Sequence, residues 1–315
     1  MCLQYDNEAR LLASGTRNGM INIYNTEYGE MEFQIEKIDE TVEFPTEIQY
    51  PVTCLKWNPR IGHSRKQDLI AASYGNGVVK LWDILNNTLK FELYESENRG
   101  VYSIDFNPDG TQILTAGVDA TLRVYDWKTK QMFSKFKPGL HQTVHHFNRI
   151  HWVKFNPEDE RIIYSGGADR NLTIHDTRCR EPLRNLIGPY VLGDAIDIRG
   201  THLLAGSYRS EECLEIYDIR KYEKLHTIDW DSENPTKGGI VVAAKFGYGG
   251  QNNIIAAGKS YNDVKVFDWK EGTVKACAHG FEEMIYSIDA SNSSTQSEIS
   301  VGMADGIINC LKFED

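Results

Sequence analysis

Short runs in which apolar and polar residues alternate recur along the whole chain and predict β-strands with one buried face. Three of them align without gaps: Val52-Thr-Cys-Leu-Lys-Trp-Asn-Pro59, Val101-Tyr-Ser-Ile-Asp-Phe-Asn-Pro108 and Ile150-His-Trp-Val-Lys-Phe-Asn-Pro157. Each ends on an aromatic followed by a turn. Asn107-Pro-Asp-Gly110 is turn chemistry, because proline presets φ and glycine permits a positive φ.

A second series follows the first. A strand of small apolar residues runs into a Gly/Asp turn, then an alternating strand, then an aromatic and Asp or Asn. It appears as Leu11-Leu-Ala-Ser-Gly…Ile-Tyr-Asn25, Ile70-Ala-Ala-Ser…Leu-Trp-Asp83, Ile113-Leu-Thr-Ala-Gly…Val-Tyr-Asp126 and Ile163-Tyr-Ser-Gly-Gly…Ile-His-Asp176. It continues as Leu203-Leu-Ala-Gly-Ser…Ile-Tyr-Asp218, Ile254-Ile-Ala-Ala-Gly…Val-Phe-Asp268 and a degraded Ile299-Ser-Val-Gly…Ile-Asn-Cys310. The period is roughly 40–60 residues, that of a four-stranded repeat stacked on its neighbours.

These seven units resemble the WD40 repeat over essentially the whole chain. The resemblance implies an all-β, seven-bladed β-propeller with four strands, a to d, in each blade and strand a innermost. Blade limits of approximately 1–50, 51–98, 99–140, 141–190, 191–235, 236–280 and 281–315 follow from the repeat, as one domain. The aromatic before each Asp is expected to fill the space between blades, worth about 2 kcal/mol by its buried area. Asp119, Asp169, Asp305, Asn18 and Asn76 fall in b–c turns, where they are expected to accept backbone N–H bonds. In the family such an Asp usually belongs to a network with a His before strand a. Gly-His dipeptides are missing here and only His279-Gly280 lies near the expected place, so an incomplete network is expected.

The chain ends lead to another expectation. Met1-Cys-Leu-Gln-Tyr5 aligns with Thr53-Cys-Leu-Lys-Trp57, which puts Met1 inside strand a of blade 1, and only Lys312-Phe-Glu-Asp315 follows strand c of blade 7. The last blade is therefore expected to lack its outer strand. Three readings stay open: a partner donates the strand, a longer chain supplies it, or three strands suffice.

Composition narrows the function. The 315 residues carry a net charge of −11, which disfavours general binding to phosphate backbones. No stretch reaches the ~18 apolar residues of a membrane span, and Met1 to Arg10 lacks the layout of a signal peptide. The six scattered cysteines contain no CxxC pair and read as free, buried thiols in a reducing compartment, hence the cytoplasm. The chain carries neither GxxxxGK[ST] nor GxSxG nor HExxH, and Gly247-Tyr-Gly-Gly250 falls in an a–b hairpin. His141, His145, His146 and His151 cluster between blades 3 and 4 with no Cys or acid beside them, and read as surface rather than as a metal site. No catalytic residue, cofactor or metal is expected.

Protein contacts remain. The strand-a starts and b–c turns that form one rim supply Arg17, Tyr102, His151, Tyr208, Arg209, Tyr261 and Tyr286, residue types common at interface hot spots. The turns Ser207–Glu212 and Lys259–Asn262 are enlarged. Acidic residues from Glu27 to Glu47, opposed by Lys37 alone, form either a solvated loop or a docking segment for a basic partner. Asp176-Thr-Arg178 and Asp218-Ile-Arg220 are similar to the WDxR box by which WD40 substrate receptors dock on the cullin-4 ligase adaptor, with His175 and Tyr217 in place of Trp. The same Arg residues also fit local pairing with Asp. The favoured reading is a non-catalytic scaffold subunit of a multiprotein assembly, cytoskeletal or ciliary among the options, binding proteins through the rim and the blade 7 edge, with no nucleic acid and no membrane insertion. The alternative is a substrate receptor of a cullin-4-type ligase.

Overall fold

The structure, a computed structural model, describes residues 2–35, 50–59, 68–95, 99–138, 145–179, 181–231, 239–247, 252–258, 260, 262–291 and 298–312. All twenty-seven elements among them are β-strands. Blade 1 holds β1 (Cys2–Tyr5), β2 (Leu11–Gly15), β3 (Ile21–Asn25) and β4 (Met31–Ile35). Blade 2 holds β5 (Val52–Trp57), β6 (Leu69–Tyr74), β7 (Val78–Asp83) and β8 (Thr88–Tyr94). Blade 3 holds β9 (Val101–Phe106), β10 (Gln112–Gly117), β11 (Leu122–Asp126) and β12 (Gln131–Phe136). Blade 4 holds β13 (Ile150–Phe155), β14 (Ile162–Gly167), β15 (Asn171–Asp176) and β16 (Arg184–Ile187). Blade 5 holds β17 (Ile196–Arg199), β18 (His202–Gly206), β19 (Leu214–Asp218) and β20 (Glu223–Ile228). Blade 6 holds β21 (Val241–Phe246), β22 (Asn253–Gly258), β23 (Asp263–Asp268) and β24 (Thr273–Ala278). Blade 7 holds β25 (Ile285–Ala290), β26 (Glu298–Met303) and β27 (Ile308–Lys312). Each blade is an antiparallel sheet in chain order, six of four strands and the last of three.

Burial changes from strand to strand as a propeller requires. The b strands β2, β6 and β22 are buried at every position, because a neighbouring blade covers each face. The d strands β12 and β24 are mostly exposed, with Met132, Phe133 and Val274 at the surface and one lysine in each strand, Lys135 and Lys275, a side chain that protects an open edge. In several blades one apolar residue closes the end of strand d: Ile35, Phe136 and Ile228 are each at most 2% exposed. The a–b turns also touch. Gly110 sits at φ +64° with its carbonyl accepting from Asn58 Nδ2 at 2.8 Å, and a Cβ there would come within 2.2 Å of Asn58 Oδ1.

The apolar cores lie between blades. The cluster between blades 1 and 2 joins Ile21 and Ile23 to Trp57, Ile70 and Tyr74, and comparable clusters fill the next five junctions. The junction of blade 7 with blade 1 is different. Among the described residues its cluster has only Leu3, Tyr5 and Leu12 fully buried, with Ile308 and Ala9 packed against them. Polar ties supplement this small core. Asp289 Oδ2 accepts the Tyr5 amide N–H at 2.8 Å, and the Tyr5 hydroxyl lies 2.5 Å from Ser300 Oγ.

The Asp289 tie belongs to a ring around the channel. Equivalent channel-facing positions of strand a are Gln4, Lys56, Asp105, Lys154, Asp197, Lys245 and Asp289 in successive blades. Charge alternates around it. An odd number of blades cannot alternate completely, and the neutral Gln4 occupies the place where two like charges would otherwise meet. Gln4 Oε1, Asp105 Oδ2 and Asp197 Oδ2 accept the amides of Trp57, Phe155 and Phe246 at 3.2, 2.8 and 3.0 Å, as Asp289 does that of Tyr5. Lys154 Nζ reaches Asp197 Oδ1 at 2.5 Å.

The closing junction has the smallest described core, so it is the most sensitive to truncation. Tyr5→Ala is expected to lower the unfolding free energy by about 3–5 kcal/mol, the range for emptying a buried aromatic site. Tyr94→Ala, at a position 70% exposed, should stay within about 0.5 kcal/mol of wild type. Urea unfolding of both variants checks the pair; equal effects would contradict it.

Candidate protein-interaction site

Tyr102, His151 and Tyr286 each occupy the second position of a strand a, in β9, β13 and β25. The propeller carries these positions to one mouth of the channel, where the three line a cavity of about 300 Å³ together with Cys2, Cys54 and Asp194. The Tyr102 and His151 rings stack at 4.9 Å with 17° between their planes. Tyr286 is half exposed. Burial, helped by the charge of Arg149, pushes His151 down to about 4, so its ring is neutral at physiological pH. Burial likewise pushes the Cys2 thiol up to about 12 and raises Cys54. Asp194 is the charged group in the lining. Its surroundings disfavour the carboxylate, but Lys245 at 2.7 Å, together with Lys56, outweighs them and holds Asp194 down at about 2. A third of its side chain remains open to water.

Blade 4 holds a polar network that the repeat pattern did not lead us to expect. His146 is buried; its Nδ1 lies 2.9 Å from Asp169 Oδ2 and its Nε2 2.8 Å from Ser165 Oγ. Ser165 Oγ in turn shares a hydrogen bond of 3.2 Å with His175 Nε2, and the His175 ring packs on Phe136 of blade 3. Burial and the two neighbouring histidines keep His175 neutral. Burial works against the Asp169 carboxylate, yet the bonds from His146, Phe147 N and Asn171 N hold its pKa below the usual value. The expectation of a surface histidine cluster is thus corrected. His146 is structural, His145 pairs with Glu181 at 2.6 Å, His151 lines the mouth, and His141 lies outside the described residues. The missed signal was a His four residues before strand a with Ser165 and Asp169 at the matching repeat positions; only the Gly-His spelling was absent.

Other blades tie the same places differently. In blade 3 Arg123 bridges Glu95 at 2.6 Å and Asp119 at 2.5 Å, and the Thr115 hydroxyl donates to Glu95. In blade 6 the Trp230 indole N–H donates to Asp263 at 3.3 Å. The b–c turn bonds expected of Asp119, Asp169, Asp305 and Asn76 are present, to the amides of Thr121, Asn171, Ile307 and Val78, whereas Asn18 Oδ1 accepts from the Thr16 hydroxyl instead.

The family model described as "WD domain, G-beta repeat" matches residues 87–126. One solved structure, "Crystal Structure of Mitotic Checkpoint Complex", superposes on 100% of this chain and 89% of its own with a TM-score of 0.79 at 14% identity. The chain is a WD40-repeat β-propeller. Its relatives include "E3 ubiquitin-protein ligase COP1" of Arabidopsis thaliana, 22% identical across 89% of this chain and 38% of that protein. They also include "WD repeat-containing protein 91 homolog" of Dictyostelium discoideum, 27% identical across 81% and 31%. "WD repeat and SOCS box-containing protein 1" of Xenopus tropicalis is 27% identical across 50% and 38%. The chain spans only about a third of the length of these curated relatives.

Of the remaining rim residues of this WD40 propeller, Arg17, Tyr208 and Arg209 do not line the mouth cavity. Arg17 is exposed on the b–c turn of blade 1. Tyr208 meets Tyr190 edge to face at 6.4 Å. Arg209 is drawn inward, with Nε bonded to Ser207 Oγ at 2.9 Å and Nη2 3.4 Å from the buried Glu215. Tyr217 OH and Lys224 complete the shell of Glu215, so Arg209 serves the fold. Tyr261 lies outside the described residues, as do Lys259 and positions 36–49 of the acidic connection; Glu27, Glu30 and Glu32 are exposed. Arg178 and Arg220 fold back on Asp176 and Asp218, at 2.6 and 3.2 Å, and these salt bridges hold both carboxyls down at about 2. The cysteines depart from the expectation of buried thiols, because Cys179, Cys277 and Cys310 are exposed.

Two outcomes follow. His146→Ala leaves the buried Asp169 carboxylate without its main partner and should cost about 3–5 kcal/mol in urea unfolding. His151 titrates near 4 when folded against an ordinary 6.5, so its contribution is complete above about pH 6.5 and is lost as pH falls toward about 4. Subtracting the pH dependence of His151→Gln from that of wild type should reveal this loss; identical profiles would contradict it.

Proposed function

We propose that this WD40 propeller is a non-catalytic protein-interaction platform, a subunit of a larger multiprotein assembly, and that the channel mouth is its main contact surface. The observation that carries the reading is the convergence of Tyr102, His151 and Tyr286 from three separate blades on one water-accessible cavity. Aromatic rings held by packing present large contact area at little entropic cost, which is what interface anchors need. The edge of β27, the outermost described strand of blade 7, offers a second mode of contact by strand addition. Six free thiols suit a cytoplasmic setting, of which the cytoskeleton and cilium are two.

A second reading, substrate receptor of a cullin-4-type ubiquitin ligase, is favoured by one observation. On successive blades Arg178 and Arg220 share one geometry, each paired with the Asp two residues earlier and each more than half exposed. Relatives named as a ubiquitin ligase and as a SOCS-box protein are compatible with it.

Affinity purification of the full chain from its source cells tests both. Tyr102→Ala with Tyr286→Ala should weaken the recovered complex by about 2 kcal/mol, roughly thirtyfold, with the fold intact. Unchanged recovery would refute the platform reading at this site. Recovery of the cullin adaptor, lost in Arg178→Ala with Arg220→Ala, would favour the ligase reading; no recovery of the adaptor would remove it.

A further inference from the structure

The mouth cavity has a definite chemical preference. Among the described residues its lining carries aromatic rings, two thiols that burial keeps protonated, and a single charged side chain, Asp194. Lys56, Lys154 and Lys245 line the other end of the channel, among Asp197 and Asp289. From that side Lys245 and Lys56 act on Asp194. The lysine that holds Asp194 is shared, since Lys245 also acts on Asp197 and Asp289. Among the described lining residues Asp194 is the carboxylate and none is cationic, so the lining itself favours a cation over an anion. Arg149, whose charge helps to keep His151 neutral, is not part of the lining.

We propose that the mouth cavity is a receptor for a guanidinium, the side chain of an arginine that a partner protein inserts along the channel axis. This rests on the platform reading and supplies the chemistry of the partner. The near-parallel Tyr102 and His151 rings form a flat slab with no gap between them, so a cation cannot be caged there but can stack on an outer face. Tyr286, half exposed, offers a further face. A planar guanidinium stacks on such faces and, at the same time, directs its N–H groups at a carboxylate; an ammonium is a compact, strongly hydrated point charge and does not stack. A neutral His151 adds π surface without repelling the cation. The volume of about 300 Å³ is at the lower limit of ligand pockets, suited to one long side chain. The occupant is a protein because the chain as a whole, at −11, disfavours phosphate-bearing partners.

The test uses the full chain and three capped peptides of glycine and serine that differ only at the centre: arginine, citrulline or lysine. Binding is followed by NMR titration of the cavity residues. The arginine peptide should bind saturably at the mouth, citrulline about tenfold more weakly for loss of the charge, and lysine about threefold more weakly for loss of stacking. Asp194→Asn should cost about tenfold against the arginine peptide and nothing against citrulline. Equal binding of arginine and citrulline, equal binding of lysine, or no saturable binding at the mouth overturns the proposal without relying on any variant that might misfold. The two readings separate in cells: if Tyr102→Ala with Tyr286→Ala releases the partners and Asp194→Asn, folded, retains them, the platform stands and the guanidinium receptor falls.

Discussion

A ring of blades must close, and in this protein the closing contact is made by side chains between β1 and blade 7. The other six junctions are filled by broad apolar clusters; this one has Leu3, Tyr5 and Leu12 buried against Ile308, reinforced by Asp289 on the Tyr5 amide and Ser300 on its hydroxyl. The same tie, a strand-a carboxylate or amide oxygen accepting the N–H of the next blade's aromatic, recurs from Gln4, Asp105 and Asp197. Those acceptors alternate with lysines around the channel, so the groups that join blades also neutralise one another. Everything at the mouth depends on this frame, because Tyr102, His151 and Tyr286 come from three blades and meet only when the ring is closed.

The blades solve one local problem with different chemistry. Each b–c turn must be fixed to the strands below it. Blade 4 uses His146, Asp169, Ser165 and His175; blade 3 uses Glu95, Arg123 and Asp119; blade 6 uses Trp230 and Asp263. A repeat protein tolerates such drift because each tie is answered within its own blade and the adjoining one. Blade 5 shows the consequence for function: Arg209 looks like an interface anchor by type and position, but the buried Glu215 claims it.

The seven-fold repeat, the strand types and the three-stranded last blade were legible in the sequence because alternation and turn chemistry are local signals. So was the meeting of Tyr102, His151 and Tyr286, since equivalent positions in aligned repeats share one end of the channel. What escaped depended on partners far apart in sequence. His146 looked like part of an exposed histidine run because its proximity to Asp169 and Ser165 comes from the blade, not from spacing. Asp194 lies outside the repeated motif, in the connection before β17, and only the closed channel sets it beside Tyr286 and Lys245. The alternating ring was written plainly in the aligned strands, yet its meaning required the channel that makes those residues neighbours.

The central claim is that channel-facing acceptors tie each odd-numbered blade to the next and close the ring at Tyr5. Native-state amide hydrogen exchange tests it most directly at Tyr5, Trp57, Phe155 and Phe246, whose N–H groups bond to side chains of the preceding blade. These four amides should be protected to the level of the central b strands, and Asp289→Ala should release Tyr5 while leaving Phe155 and Phe246 slow. A Tyr5 amide that exchanges as freely as an exposed strand edge in the wild-type protein would contradict the account.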